Sequence, residues 1–119
     1  MEWQVVKGEL IKRVLNEGVE VEGGEVPTWL EDLGIYSPMD VAAMLRDALV
    51  EVGKLLWQDW VYMGGDDGWC HRAVWVISDG GGGEYYITIY EAPYYMRARS
   101  FRSLDNAARE LASACVTPG

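Results

Sequence analysis

Glu84-Tyr85-Tyr86-Ile87-Thr88-Ile89-Tyr90-Glu91-Ala92-Pro93-Tyr94-Tyr95-Met96-Arg97-Ala98-Arg99-Ser100-Phe101 is the stretch that decides the fold. Residues 84–91, rich in Tyr, Ile and Thr, and residues 94–101, with Tyr, Met and Phe, each alternate at a two-residue period and read as strands. The link, Ala92-Pro93, is too short for a parallel crossover, and the strands are therefore antiparallel neighbours. Symmetric pairing about that link sets Tyr90 opposite Tyr95, Thr88 opposite Arg97 and Tyr86 opposite Arg99. Tyr86, Tyr90, Tyr95, Arg97 and Arg99 then share one face, while Ile87, Ile89, Met96 and Ala98 share the other, toward the helices. A slip of one residue would invert both faces.

Working upstream, residues 59–63 and 69–78 have the same strand character, and glycine-aspartate turns at 64–68 and 79–83 join the first three strands. The four make an antiparallel meander. Before it lies a helix start, Ser37-Pro38-Met39-Asp40, with serine at the cap, proline at the first helical position and a carboxylate near the positive dipole end. Val41, Leu45, Ala48, Leu49, Val52, Leu55 and Leu56 then form one apolar stripe, which predicts a central helix through about Trp57. Residues 3–16 place Trp3, Val6, Leu10, Ile11, Val14 and Leu15 on another stripe, and Asn16-Glu17-Gly18 ends it. Val19-Glu20-Val21-Glu22 alternates as a short strand stopped by Gly23-Gly24. Thr28 caps a brief helix bearing Trp29, Leu30 and Leu33. Ser103 caps the last helix, with Leu104, Ala107, Ala108, Leu111, Ala114 and Cys115 inward and a stop near Pro118. The order α-(β)-α-α-β-β-β-β-α over residues 1–119 predicts one α+β domain, a two-layer sandwich with the four-stranded meander packed on helices. This order resembles that of double-stranded-RNA-binding domains, but Ser103-Leu104-Asp105-Asn106 stands where those domains present lysines. An RNA reading fails on charge.

Charge carries the functional reading. The chain has 19 acids against 10 Lys and Arg, for a net charge of −9. The excess is lopsided. From Val14 to Leu45 there are seven carboxylates (Glu17, Glu20, Glu22, Glu25, Glu31, Asp32 and Asp40) and no lysine or arginine. Such a field repels phosphate and attracts cationic surfaces. Direct binding to nucleic acid or to an anionic membrane is disfavoured. No run approaches the roughly 20 apolar residues of a membrane span. The acidic start, Met1-Glu2-Trp3-Gln4, differs from a basic leader, so a cytoplasmic protein is expected. In that compartment Cys70 and Cys115 read as buried free thiols.

No motif names a reaction. His71 is the single histidine and neighbours Cys70, but adjacent strand residues point to opposite faces, so a buried, hydrogen-bonded histidine is expected rather than a thiol–imidazole pair. The cysteines and histidine lack close-spaced ligand pairs, and Asp66-Asp67 and Asp79 are turn formers rather than a calcium loop, so no metal or other cofactor is expected. A carboxylate-dependent enzyme would have to draw on Glu84, Glu91, Tyr86 and Tyr90 around a cleft.

Small, acidic, single-domain chains without catalytic residues resemble anti-CRISPR and anti-restriction inhibitors of phages and mobile elements, in size, charge and composition rather than in any motif. That resemblance implies a protein-binding inhibitor that occupies the basic nucleic-acid-binding surface of a partner protein. Glu17, Glu20, Glu22, Glu25, Trp29, Glu31 and Asp32 are the first candidate contact surface. Alternate glutamates on a strand lie about 7 Å apart, near the spacing of backbone phosphates, as in a DNA mimic. Tyr86, Tyr90, Tyr95, Arg97 and Arg99 form the second, with the composition that binding hot spots favour. An immunity protein that neutralises a cationic toxin is the alternative within the same class. The outermost strands of the meander also leave an edge through which a homodimer can form.

Overall fold

Ser37 starts the central helix as expected: its hydroxyl accepts from the Asp40 N–H at 3.1 Å, and Pro38 opens the first turn. Ser103 does the same for the last helix through the Asn106 N–H at 3.2 Å. The computed structural model describes residues 3–23 and 25–115. Met1, Glu2, Gly24 and the stop expected near Pro118 lie outside the described residues. The elements run α1 (Trp3–Asn16), β1 (Val19–Glu22), α2 (Thr28–Glu31), α3 (Pro38–Val52), β2 (Gly53–Tyr62), a 3-10 turn (Gly65–Asp67), β3 (Trp69–Ser78), β4 (Glu84–Ala92), β5 (Tyr95–Phe101) and α4 (Leu104–Ser113). The α+β class and the element order match the sequence reading. The strands form one antiparallel sheet in the order β1-β5-β4-β3-β2, so the short acidic strand is added to the meander as a fifth member.

The helix expected through Trp57 ends at Val52. Residues 53–57 belong instead to β2, which follows α3 without a loop. Gly53 explains the abrupt change. It sits so close to β3 that a Cβ would meet the Val76 carbonyl oxygen and Ile77 Cγ2, both at 2.6 Å. An ordinary residue could not bring the helix end this near the sheet. Past it, Leu55, Trp57, Trp60, Val61 and Tyr62 are strand formers paired along β3, with an irregularity between Leu55 and Trp57.

The β4–β5 register differs from symmetry about Ala92-Pro93. Tyr90 pairs with Arg97, Thr88 with Arg99, Ile89 with Ala98, and Ala92 with Tyr95, so Pro93-Tyr94 forms the turn. The shift is two residues, an even number, and every side chain keeps its expected face. On one face Ala73, Trp75, Ile77, Ile87, Ile89, Met96, Ala98, Val19 and Val21 meet Val6, Leu10 and Val14 of α1 and Val41, Leu45 and Leu49 of α3. This is the main core.

The expectation of two layers, with all helices on one side, does not hold. α4 crosses to the opposite face, where Ala107 and Leu111 bury against Val74, Tyr86, Tyr90 and Phe101. The apolar parts of these tyrosines and Phe101 give it enough surface to pack on. Leu104 and Ala108, expected inward, stay exposed.

Cys70 and Cys115 form a disulfide, with Cα atoms 6.2 Å apart, which overturns the free-thiol expectation. Cys70 lies on the α4 side of β3 and Cys115 just beyond α4, so the crossing of α4 is what brings them together. Arg72 reinforces the latch. Its guanidinium donates to the Leu111 and Ala114 carbonyls at 2.8 and 3.3 Å, capping the C-terminal end of α4, and pairs with both Asp59 carboxylate oxygens. Among the described residues no helix is long and apolar enough to cross a membrane.

Candidate protein-binding surfaces

The first candidate surface is built on β1 and the excursion after it. Val19 and Val21 point into the core, which turns Glu20 and Glu22 outward on the α4 side of the sheet. Val26, Leu30 and Ile35 are buried and hold the excursion and α2 against the α1 and α3 side. The seven named residues therefore divide. Glu17 lies 3.4 Å from Arg13, and Glu20 Oε2 lies 3.3 Å from Arg97 Nε. Trp29 is half-buried against the core with the Arg13 guanidinium 4.4 Å from its ring, so it serves packing rather than anchoring. Glu22, Glu25, Glu31 and Asp32 are exposed and make no ion pair among the described residues. These four are the unneutralised carboxylates of the acidic segment.

The second candidate surface is assembled on one face as expected but is largely occupied. α4 covers Tyr86 and Tyr90, and Thr88 between them is fully buried. Glu110 of α4 sits 3.2 Å from Arg99 and 3.8 Å from Arg97, so both arginines already have carboxylate partners. The Tyr90 and Tyr95 ring centroids are 5.9 Å apart. Burial, reinforced by hydrogen bonding to Tyr90 and Glu20, holds the Tyr95 phenol well above the usual tyrosine range. What stays open is a polar groove of about 200 Å³ lined by Glu17, Gly18, Val19, Glu20, Arg97 and Arg99. Its charges balance internally, which suits a structural network better than a docking site.

His71 is buried, and its Nε2–H donates a 2.9 Å hydrogen bond to Gln58 Oε1, as expected of a satisfied core histidine. Its Nδ1 lies 3.7 Å from Glu91 Oε1, and Glu91 in turn pairs with Arg46 from α3. Burial first, then the Arg46 charge, holds the imidazole below its usual pKa, opposed by Asp59. Cys70 lies on the other face of β3, in the disulfide, so no thiol–imidazole pair exists. The four residues of the enzyme alternative do not converge: Glu91 faces α3, whereas Glu84, Tyr86 and Tyr90 are on the α4 face. Among the described residues, no group of three or more His, Cys, Asp or Glu side chains is placed to hold a metal ion.

A third surface escaped the sequence reading. β2 is an outer strand of the sheet, and it carries Leu56, Trp57, Trp60 and Tyr62 exposed, with Trp69 beside Tyr62 on β3. Trp60 stacks over His71 at 4.3 Å between centroids. Trp57 lines an apolar cavity of about 420 Å³ together with Val74, Leu104 and Leu111. The signal was present as three tryptophans and a tyrosine between positions 57 and 69, but assigning residues up to Trp57 to a helix hid the strand that displays them. Comparisons of the chain with protein-family models, with curated proteins and with solved structures give no match.

Proposed function

We propose that the protein is a small acidic inhibitor that works by binding, without catalysis or cofactor, to the basic nucleic-acid-binding surface of another protein. The observation that carries this reading is the set Glu22, Glu25, Glu31 and Asp32. These four exposed carboxylates lie within eleven residues and are unpaired among the described residues; Glu22 leaves β1 on the α4 side, and Glu25, Glu31 and Asp32 belong to the segment that Val26, Leu30 and Ile35 anchor on the α1 and α3 side. Anchoring matters because a fixed acidic surface loses less side-chain and loop entropy on docking than a floppy one. Attraction to lysines and arginines then adds to the long-range pull of the net charge of −9. The anti-CRISPR or anti-restriction type of inhibitor belongs to this reading, as does a cytoplasmic setting. There the reducing pool acts against the Cys70–Cys115 bond, so packing and Arg72 would hold α4 alone.

Capture from host lysate at low salt tests the reading. The wild type should retain a basic protein that a salt step releases and whose nucleic-acid binding it blocks. The variant Glu22→Gln, Glu25→Gln, Glu31→Gln, Asp32→Asn should retain at least tenfold less. Equal retention by the two proteins would count against the acidic surface.

A further inference from the structure

The two edges of the sheet are built differently. β1 is four residues long and turns Glu20 and Glu22 outward, a short charged edge of the kind that resists pairing with another chain. β2 is ten residues long, and beyond its irregularity at Leu56 it runs regularly from Trp57 to Tyr62. That run contains no proline, lysine or arginine. Its one charge, Asp59, is already matched by the two hydrogen bonds from Arg72 at 2.8 and 2.6 Å. Trp57 is 43% exposed, Trp60 62%, Tyr62 57% and Trp69 57%. Exposed tryptophan beside an unpaired strand edge is unusual in a monomer.

We infer that β2 pairs antiparallel with β2 of a second copy, joining two five-stranded sheets into one continuous sheet. Two copies of a −9 chain repel one another, so close contact is favoured where charge is sparse and internally matched, as on the Trp57–Tyr62 edge, whose single charge Asp59 is held by Arg72. Area points the same way. A fully exposed aromatic side chain offers roughly 200 Å², so at these exposures the three rings on β2 itself, Trp57 on the α4 face and Trp60 and Tyr62 on the other, supply at most about 300 Å² per copy and about 600 Å² per pair. The paired backbones, Leu56 and Val61 extend this toward the roughly 1,200–2,000 Å² of a stable interface. Register follows from charge. In an antiparallel pair, directly opposite residues share a face. A twofold axis at Asp59 would set two carboxylates against each other, which is destabilising. An axis at Trp60 sets the two Trp60 rings together and Gln58 opposite Tyr62. The second arrangement is the one assigned.

Sedimentation of the full chain tests this. The wild type should sediment as a dimer at micromolar concentration, and raising the salt should leave the dimer intact or tighten it, because screening reduces the repulsion between copies. Acidic docking onto a basic partner weakens with salt, so the two readings fail independently. Trp60→Lys should weaken dimerisation at least a hundredfold. Trp3→Lys, at a comparably exposed tryptophan on α1, should leave it unchanged and controls for the effect of a new lysine. Circular dichroism of Trp60→Lys should match the wild type, since the ring is exposed. Trp60→Cys should crosslink two copies on mild oxidation, because the native cysteines are bonded to each other. A wild type that stays monomeric at submillimolar concentration, or a dimer that survives Trp60→Lys, overturns the proposal.

Discussion

Opening the Cys70–Cys115 bond removes a constraint whose size follows from the chain itself. The two residues are 45 positions apart. In the chain-entropy account, closing a loop of that length takes about 13 cal/mol/K from the unfolded ensemble, or about 4 kcal/mol at room temperature. Against the roughly 5–15 kcal/mol that holds an ordinary domain together, this is a large share. Part of the loss is local. α4 rests on the sheet chiefly through Ala107 and Leu111 and through the bonds from Arg72 to the Leu111 and Ala114 carbonyls. The main core lies on the other face and does not depend on it. Reduction should therefore loosen α4 first and then lower the stability of the whole domain. Urea unfolding followed by tryptophan fluorescence, with and without reductant, measures the effect. With a slope of about 2 kcal/mol/M, the midpoint should fall by about 2 M. The double variant Cys70→Ser, Cys115→Ser should match the reduced protein. Coincident curves with and without reductant, or two thiols that react with Ellman's reagent in the folded unreduced protein, would show that no such bond stabilises the fold.

Three further outcomes are expected. Gly53→Ala should destabilise by about 1–3 kcal/mol in a urea titration, because its Cβ would meet the Val76 carbonyl and Ile77 at 2.6 Å; an unchanged midpoint would mean that the α3–β2 junction is looser than drawn. Glu91→Ala should lose about 2–4 kcal/mol in the same assay, since it strands the partly buried Arg46 and removes a neighbour of His71. The Asp79 carboxyl is drawn down to about 2 by Arg102 first and by the Gly81 and Gly83 N–H groups, from an ordinary value of 3.8. Its folded value is the lower one, so its contribution to stability is present above about pH 4 and fades as pH falls from 3.8 toward 2. Asp79→Asn should flatten that acid slope, and carboxyl NMR should find Asp79 titrating near 2 rather than near 4.

The hairpin faces at β4 and β5 were readable because strand parity depends only on even or odd spacing, and the two-residue shift at Pro93-Tyr94 preserved it. The start of α3 was readable because Ser37, Pro38 and Asp40 act locally. Its end was not. Val52, Leu55 and Leu56 satisfy helical spacing and strand preference alike, and tertiary contact at Gly53 decides between them. The side taken by α4 was hidden for a similar reason: a face of tyrosine, threonine and arginine reads as solvated until a helix is found on it. The disulfide depended on that placement, since cysteines 45 positions apart meet only through tertiary structure. Of the acidic surface, the position of the excursion was legible, but not the pairing of Glu17 and Glu20 with Arg13 and Arg97, which takes the fold to assemble. The aromatic edge at β2 went unread along with its strand.

The salt dependence of partner affinity reports whether exposed negative side chains of the excursion recognise a cationic protein surface. With the captured partner purified, a plot of log affinity against log salt should fall steeply for the wild type and flatten when Glu22, Glu25, Glu31 and Asp32 are neutralised. A slope that is flat for the wild type, or identical for the two proteins, would contradict that recognition.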